Sequence, residues 1–397
     1  MGNELRSKWE MVRLGDMCES KIDTIKLQDN KEIIYIDIAS VDNQLKEISS
    51  YSKINILNAP SRAKQILKTN DILVSTVRPN LNAVAVNNIH EEIPVIASTG
   101  YCVLRCKSEI LPQYLFAFCK ANQFIEELVK VAKGASYPAV SNGDVKNLKI
   151  PLPPLEIQEK IAKNLDLASN LVKLHKTKLK ELDKLIQSVF YDMFGDPVMN
   201  EMGWEVETIK NLCSKIGSGA TPKGGKESYK DFGISLIRSM NVHNGYFKYK
   251  DLAFIDEIQA KQLDNVSVIK DDVLINITGA SVARTCIVPE DILPARVNQH
   301  VSILRCKNSI KPIYLNCLLA NDVSQLALLH IGTSNGATRE AITKSQLEDF
   351  KMIVPPIRLQ QKFSTIVTEI EKQKSQVQKA LDDAEILYNS LMQEYFE

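Results

Sequence analysis

Leu104-Arg105-Cys106-Lys107 returns as Leu304-Arg305-Cys306-Lys307, and the reading of that repetition decides the fold. Each copy is followed by the same Pro-x-Tyr-Leu, first as Pro112, Tyr114 and Leu115, then as Pro312, Tyr314 and Leu315. Further out, Pro153-Pro154 ahead of Gln158 and Lys160 is answered by Pro355-Pro356 ahead of Gln360 and Lys362. Upstream, Trp9-Glu10 matches Trp204-Glu205, and Ala63-Lys64-Gln65 matches Ala260-Lys261-Gln262. The offset stays at about 200 residues, far beyond the roughly 20–50 of a solenoid repeat. A whole domain with its tail is therefore present twice, and two related modules on one chain suit a target that comes in two halves.

The chain has 397 residues, enough for two or three domains with real cores. A hydrophobic content of 44% with 24% charged residues is that of a globular protein, and no apolar run approaches the ~20 residues that span a bilayer. The start of the chain, Met1 to Lys8, lacks the apolar stretch of a signal peptide. Eight cysteines are scattered, and Cys18/Cys213 and Cys106/Cys306 fall at matching places, which reads as packing in a reducing cytosol. Cys102-x-x-x-Cys106 has no second ligand pair nearby, so no metal site is expected. A net charge of +1 fits a non-binder of nucleic acid, a binder with its positive charge on one face, or one that shares phosphate contacts with partners.

The order reads module (1–152), helix (153–195), module (196–354), helix (355–397). Within the first module, Ile33 to Ile38, Asp71 to Val77, Val84 to Val86 and Tyr101 to Arg105 are β-branched runs expected to be strands. Gln113 to Ala121 and Gln123 to Ala132 have helical apolar spacing. The second module repeats this with Ile234 to Arg238, Asp272 to Thr278, Val301 to Arg305 and a helix from about Ile313. The expected class is α+β, with two homologous strand-rich modules separated by two long helices.

Each proline pair closes a module and opens a helix. Apolar positions then step by four and three through Ile161, Leu165, Ala168, Val172, His175, Leu179, Leu182, Ile186, Val189 and Met193. The second tail does so through Leu359, Phe363, Ile366, Ile370, Gln373, Val377, Ala380, Ala384, Leu387 and Leu391. Two such seams, each about five heptads long, most simply pair as an antiparallel coiled coil; packing of each helix on its own module is the alternative. His175 and Gln373 interrupt the seams near their midpoints, as a register-fixing polar layer or, for His175, as a side chain reaching solvent. Each helix of about 38 residues is roughly 57 Å long, on the scale of the ~34–36 Å between successive same-facing turns of DNA.

No active site is legible. Pro222 stands where the third glycine of a dinucleotide fingerprint belongs, and Gly225 where a phosphate-binding loop needs lysine. There is no His-Glu-x-x-His, no Gly-x-Ser-x-Gly and no Asn/Asp-Pro-Pro-Tyr/Phe, and His90, His175, His243, His300 and His330 do not cluster in sequence. Polar, basic loops do follow the strands. In the first module Val77 leads into Arg78-Pro79-Asn80-Leu81-Asn82, and Gly134-Ala135-Ser136-Tyr137 comes later. In the second, Thr278 to Arg284 and Gly332 to Arg339, with Asn335, take the corresponding places, joined by Thr221, Lys223, Lys226 and Lys230. Arg and Asn can pair with guanine and adenine edges, and Lys, Ser, Thr and glycine amides suit phosphates. Any one of these residues alone reads more readily as a solvated turn; their recurrence in both modules favours nucleic acid.

The chain resembles the specificity (S) subunit of type I restriction–modification systems over its whole length. The resemblance rests on Gly217-x-Gly-x-Thr221-Pro222 leading to Ile237-Arg238-Ser239-x-Asn241-Val242 and Gly245, and on Met193-Phe194-Gly195-Asp196-Pro197 ahead of Gly203-Trp204. Ile150-Pro151-Leu152-Pro153-Pro154-Leu155 with Gln158, and Ile353-Val354-Pro355-Pro356 with Leu359-Gln360, complete it. It implies two target-recognition domains that each read half of a bipartite double-stranded DNA target, and adds Arg238 and Asn241 to the candidate DNA-binding residues. It implies paired spacer helices that set the gap between the halves and dock two methyltransferase (M) subunits. Those would use S-adenosylmethionine to methylate adenine, and restriction (R) subunits with ATP and Mg would join for cleavage. It further implies a cytoplasmic chain with no cofactor and no catalysis of its own. The first module lacks the Gly-x-Thr-Pro segment, having Ser20 to Thr24 instead, so the two modules are expected to read different half-sites. A coiled-coil scaffold with protein-binding modules, and a self-sufficient two-domain DNA-modifying enzyme, are the competing readings.

Overall fold

Every buried backbone N–H and C=O must find a partner, and in both modules the strands at the two ends of the module find each other. Glu10–Arg13 pairs antiparallel with Lys149–Leu152, and Glu205–Thr208 pairs with Lys351–Val354 in the same way. Each module is thus closed just before its proline pair. The computed structural model describes residues 9–25, 31–333 and 341–396.

Two sheets make up each module. In the first, Tyr101–Leu104, Ile72–Ser75 and Val84–Val86 form an antiparallel sheet. A second sheet runs Ser52–Asn55, Glu32–Ile36, Val95–Ser98, Ala63–Ile66, its central pair parallel. In the second module, Cys213–Ser218, Val301–Cys306, Val273–Asn276 and Thr285–Ile287 form the antiparallel sheet. Ala253–Ile255, Ile234–Ile237, Ala295–Val297 and Ser267–Val268 form the mixed one, again with a parallel central pair. Helices Pro112–Cys119 and Asn122–Val131 pack on the first module, and Pro312–Ala320 and Asp322–Thr333 on the second.

Most of the repeated landmarks are internal fasteners; Ala63-Lys64-Gln65 and Ala260-Lys261-Gln262 are not equivalent, the first lying in strand Ala63–Ile66 and the second ending helix Glu257–Gln262. The Arg105 guanidinium holds the Asp71 carboxylate with two bonds of 2.9 and 2.7 Å, and Arg305 holds Asp272 with two of 2.9 Å. Lys107 donates to the Asp16 carbonyl and Lys307 to that of Asn211. Cys18 lies opposite Cys106 on the neighbouring strand, and Cys213 opposite Cys306. Burial of the Cys213 thiol raises it to about 12, so the second pair serves as packing.

The two long helices are Leu155–Phe194 and Ile357–Phe396. Contacts divide the chain into residues 1–176 with 379–397, and residues 177–378. In the first unit Asn164 meets Tyr395 and Lys176 pairs with Glu385 at 2.7 Å, so the helices run antiparallel. In the second unit Asp183 pairs with Lys374 at 2.7 Å and Phe190 packs against Phe363, again antiparallel. Each helix start is bound to its module by a wholly buried glutamine. Gln158 accepts from the Leu111 N–H and donates to the carbonyls of Glu109 and Pro153; Gln360 does the same with Lys311, Ser309 and Pro355. Phe396 closes on Tyr114 in the first core, and Phe194 on Tyr314 in the second.

Ile161, Leu165, Leu182, Phe363, Ile370 and Val377 are buried, with Val172, His175 and Leu179 half-buried. Gln373 is corrected: it is exposed, and the seam passes instead through half-buried Lys374. Burial works against the Lys374 charge, but its bonds to Asp183 and Glu371 outweigh this and raise its pKa. Leu387 is likewise exposed, and Tyr388 takes its place. His175 is half-buried with its Nδ1 unpaired among the described residues, and Gln373, being exposed, is no part of a buried polar layer.

The glutamine clamp carries a stability prediction. Gln360→Leu strands one N–H and two carbonyls in the interior and should cost about 3 kcal/mol. Gln361→Leu, at the exposed neighbouring position, should cost almost nothing. Urea unfolding of the two variants checks the difference, and equal midpoints would refute the role of the clamp.

Candidate nucleic-acid interface

Where strand Ile72–Ser75 ends, Val77 bridges to Ala139, and the Arg78 N–H donates to the Pro138 carbonyl at 2.7 Å. That pairing draws two of the expected loops together. Lys133 and Ala139 exchange both backbone bonds at 2.9 Å and close the turn carrying Ser136 and Tyr137. The Arg78 guanidinium lies 4.8 Å from the centroid of the exposed Tyr137 ring, a cation–π contact that leaves both side chains facing solvent. Asn80 is exposed on the turn Pro79–Leu81. Asn82 is corrected: its side chain is buried and its carbonyl accepts from Lys46 at 2.6 Å, so it shapes the loop. Burial, with the like charge of Lys120, lowers the Lys46 pKa to about 8.

The same place in the second module is set by Thr278, which bridges to Ala341 as Val77 does to Ala139. Gly279 therefore stands where Arg78 stands, and both are left-handed, with φ of 81° and 50°. A non-glycine residue held there is strained, and such strain gathers at functional positions. Asn276 donates to the Ser239 carbonyl and the Ser281 hydroxyl, tying the 278–284 loop to the 238–241 turn. Arg284 is half-buried beside His243, whose pKa is lowered first by burial and then by that guanidinium.

Arg238 lies over the Tyr229 ring at 5.4 Å and donates to the Asp251 carbonyl. Asn241 is corrected: it is wholly buried, accepting from the Arg238 N–H and donating to the Lys248 carbonyl, which makes it part of the turn's interior. Lys223 and Lys226 are exposed; Asn335 and Arg339 lie outside the described residues.

The Gly-x-Thr-Pro segment has a steric reason. Its Gly219 N–H donates to the Asn298 carbonyl, and a Cβ on Gly219 would fall 1.9 Å from the Val297 oxygen. Only glycine permits that approach, and it delivers Thr221 to Gln299. Gln299 and His300 were not among the residues expected from sequence. His300 sits where the first module has Gly100, since the Ile277 N–H donates to the His300 carbonyl as Thr76 does to Gly100. That mismatch between otherwise parallel copies was the available signal. Among the described residues there is no group of three His, Cys, Asp or Glu side chains placed to hold a metal, and no helix long and apolar enough to cross a membrane.

The strain at Arg78 makes it testable without DNA. Arg78→Gly should leave stability within about 1 kcal/mol, because relief of the left-handed backbone offsets the lost ring contact. Arg78→Val places a β-branched residue there and should cost about 1–2 kcal/mol. Thermal unfolding of both variants decides; an equal effect would show that the backbone strain plays no part.

The sequence pattern of a family described as "Type I restriction modification DNA specificity domain" matches residues 6–184 and again 201–384. The chain is 24% identical to the putative type I restriction enzyme MjaX specificity subunit of Methanocaldococcus jannaschii over 412 aligned residues, covering 95% of this chain and 92% of that protein. To the MjaIX specificity subunit of the same organism it is 24% identical over 291 residues, 69% of this chain and 66% of that one. Its fold is similar to that of a type I restriction–modification S subunit from M. genitalium, with a TM-score of 0.63, 14% identity, and coverage of 98% of this chain and 96% of that one.

Proposed function

Because this chain belongs to the type I restriction modification DNA specificity family, whose pattern matches both of its halves, we propose that it reads a bipartite DNA target, one half-site per module. The observation that carries this is the contrast between fasteners and rims. The two modules share the same clamps and salt bridges, yet at equivalent strand ends one offers Arg78 with Tyr137 and the other Gly279 with Thr278 and His300. Equal scaffolds with unequal rims suit two different half-sites. No observation favours a protein-binding scaffold or a self-sufficient enzyme.

In this reading the chain contributes recognition and no catalysis. Two M subunits with S-adenosylmethionine would methylate adenine, and R subunits with ATP and Mg would cut. Sharing the grip on phosphate with such partners accounts for a net charge of only +1. The setting would be the cytoplasm. The paired 40-residue helices would fix the spacer between the half-sites.

Mapping N6-methyladenine across the host genome with and without this gene tests the reading: one bipartite motif should lose methylation on deletion, and an unchanged map would refute it. Combining Arg78→Gly with Arg284→Ala should weaken DNA binding by about tenfold or more while the subunit complex still assembles. Inserting one heptad into each helix should change the spacer length or abolish recognition, with each half-site's own preference unaltered. A relaxed half-site with the original spacer would contradict the role given to the helices.

A further inference from the structure

Four polar side chains from three loops of the second module form one chain of bonds. The Thr221 hydroxyl donates to Gln299 Oε1, Gln299 Nε2 lies 3.1 Å from His300 Nε2, and His300 Nδ1 is bonded to the Thr278 hydroxyl. Gln299 is exposed and the other three are half-buried, so the chain lies along the module's surface. The direction of the bonds follows from counting donors. With Gln299 Nε2 donating to His300 Nε2, Nδ1 carries the ring proton and donates to Thr278, whose own hydrogen is left over. Turning the amide round reverses the direction and frees the Thr221 hydrogen in place of that of Thr278. Either way two donors remain, one amide N–H of Gln299 and one threonine O–H, while the Gln299 carbonyl is engaged.

That remainder decides what the chain can hold. Reading adenine with glutamine takes a free donor and a free acceptor side by side. Gln299 already spends one of its carbonyl's two lone pairs inside the chain while an amide N–H stays free, and a free donor suits an oxygen that only accepts. A DNA phosphate presents such oxygens at every step regardless of sequence. The neighbours agree: Gly279 and Ala280 are exposed beside Thr278 with nothing larger than a methyl group to obstruct an approaching backbone, and Lys223 is exposed two residues after Thr221. In the first module Thr99 and Gly100 stand in the places of Gln299 and His300, and Val77 in that of Thr278, so the chain of bonds has no counterpart there.

We propose that Thr221, Gln299, His300 and Thr278 form a sequence-independent phosphate clamp present in the second module and absent from the first. This rests on the DNA-reading function proposed above and assigns the second module a grip separate from its base readout. The clamp is uncharged, so it adds affinity without adding counterion release.

The test uses the full chain in complex with its methyltransferase subunits. Affinity is measured for duplexes bearing the methylated motif and for a panel of single-base variants in each half. Gln299→Ala should lower affinity about three- to tenfold on every duplex in the panel. The motif and the salt slope should stay as they were. Gln299→Glu still accepts from Thr221 and His300 but sets a carboxylate against the phosphate. It should bind more weakly than the alanine variant while unfolding at the wild-type temperature. Relaxed preference at a base would make Gln299 a base reader and overturn the clamp. Unchanged affinity, or a loss of binding that tracks a loss of thermal stability in Gln299→Glu, would reduce the four residues to an internal strut and overturn it equally. A wild-type complex that methylates no bipartite motif would overturn the DNA-reading function itself and the clamp with it.

Discussion

A buried amide with no water to turn to must satisfy both its oxygen and its nitrogen within the fold, and Gln158 and Gln360 do so against backbone alone. Each bridges the loop ahead of a module helix and the proline pair that opens a long helix. The direction in which the long helix leaves its module is thereby set by three hydrogen bonds instead of by apolar packing, which tolerates rotation. Tyr114 and Tyr314 reinforce the joint by donating to the carbonyls of Pro151 and Ile353 in the module's last strand. The aromatic ends Phe396 and Phe194 then close on those same tyrosines. Module and helix are one piece because a buried polar group leaves no second solution.

This explains what the sequence could and could not convey. Most of the stretches repeated along the chain turned out to be joints: Arg105 on Asp71, Arg305 on Asp272, Lys107 and Lys307 on backbone carbonyls. A joint needs the same chemistry wherever the same backbone is to be held, so duplication keeps it visible. The strands and module helices that were read lie within a residue or two of the observed ones for a related reason, since their apolar runs face interiors that both copies share. Shorter or more polar strands such as Glu10–Arg13, Ser52–Asn55 and Ala295–Val297 were not read. A reading surface has no such obligation. Its residues are the ones that differ between the copies, so repetition is silent about them. Asn82 and Asn241 looked like readers because asparagine suits both a base edge and a tight turn, and burial decided for the turn. Gln299 and His300 escaped notice because nothing local marks a polar pair between two strands until Gly219 brings Thr221 against it.

The helical seam shows a different limit. A heptad seam repeats every seven residues whichever order its steps of three and four take, so the two orders share every seventh position and differ by one residue in between. The second helix keeps Phe363, Ile370, Val377 and Ala384 buried as expected, but the position between each pair lies one residue later than read, at Val367, Lys374, Leu381 and Tyr388. Lysine is tolerated there because its stem covers apolar surface while its amine reaches Asp183 and Glu371. Apolar character alone could not have chosen between the two orders, because Ile366 and Val367, and again Ala380 and Leu381, stand side by side.

Arg78 and Gly279 show how one backbone carries two unlike residues. Both occupy the left-handed region immediately after the same strand, so the path of the loop is common property. Glycine takes that path without strain and presents bare backbone; arginine is strained there, and in return presents a cation braced on Tyr137. The strain is local and modest, because the bridge from Val77 to Ala139 and the bond from the Arg78 N–H to Pro138 hold the turn whatever side chain it bears. A scaffold that fixes the backbone so firmly frees the side chains to change without disturbing the fold. Recognition of two unlike half-sites therefore requires no second architecture, only different residues on the same rims.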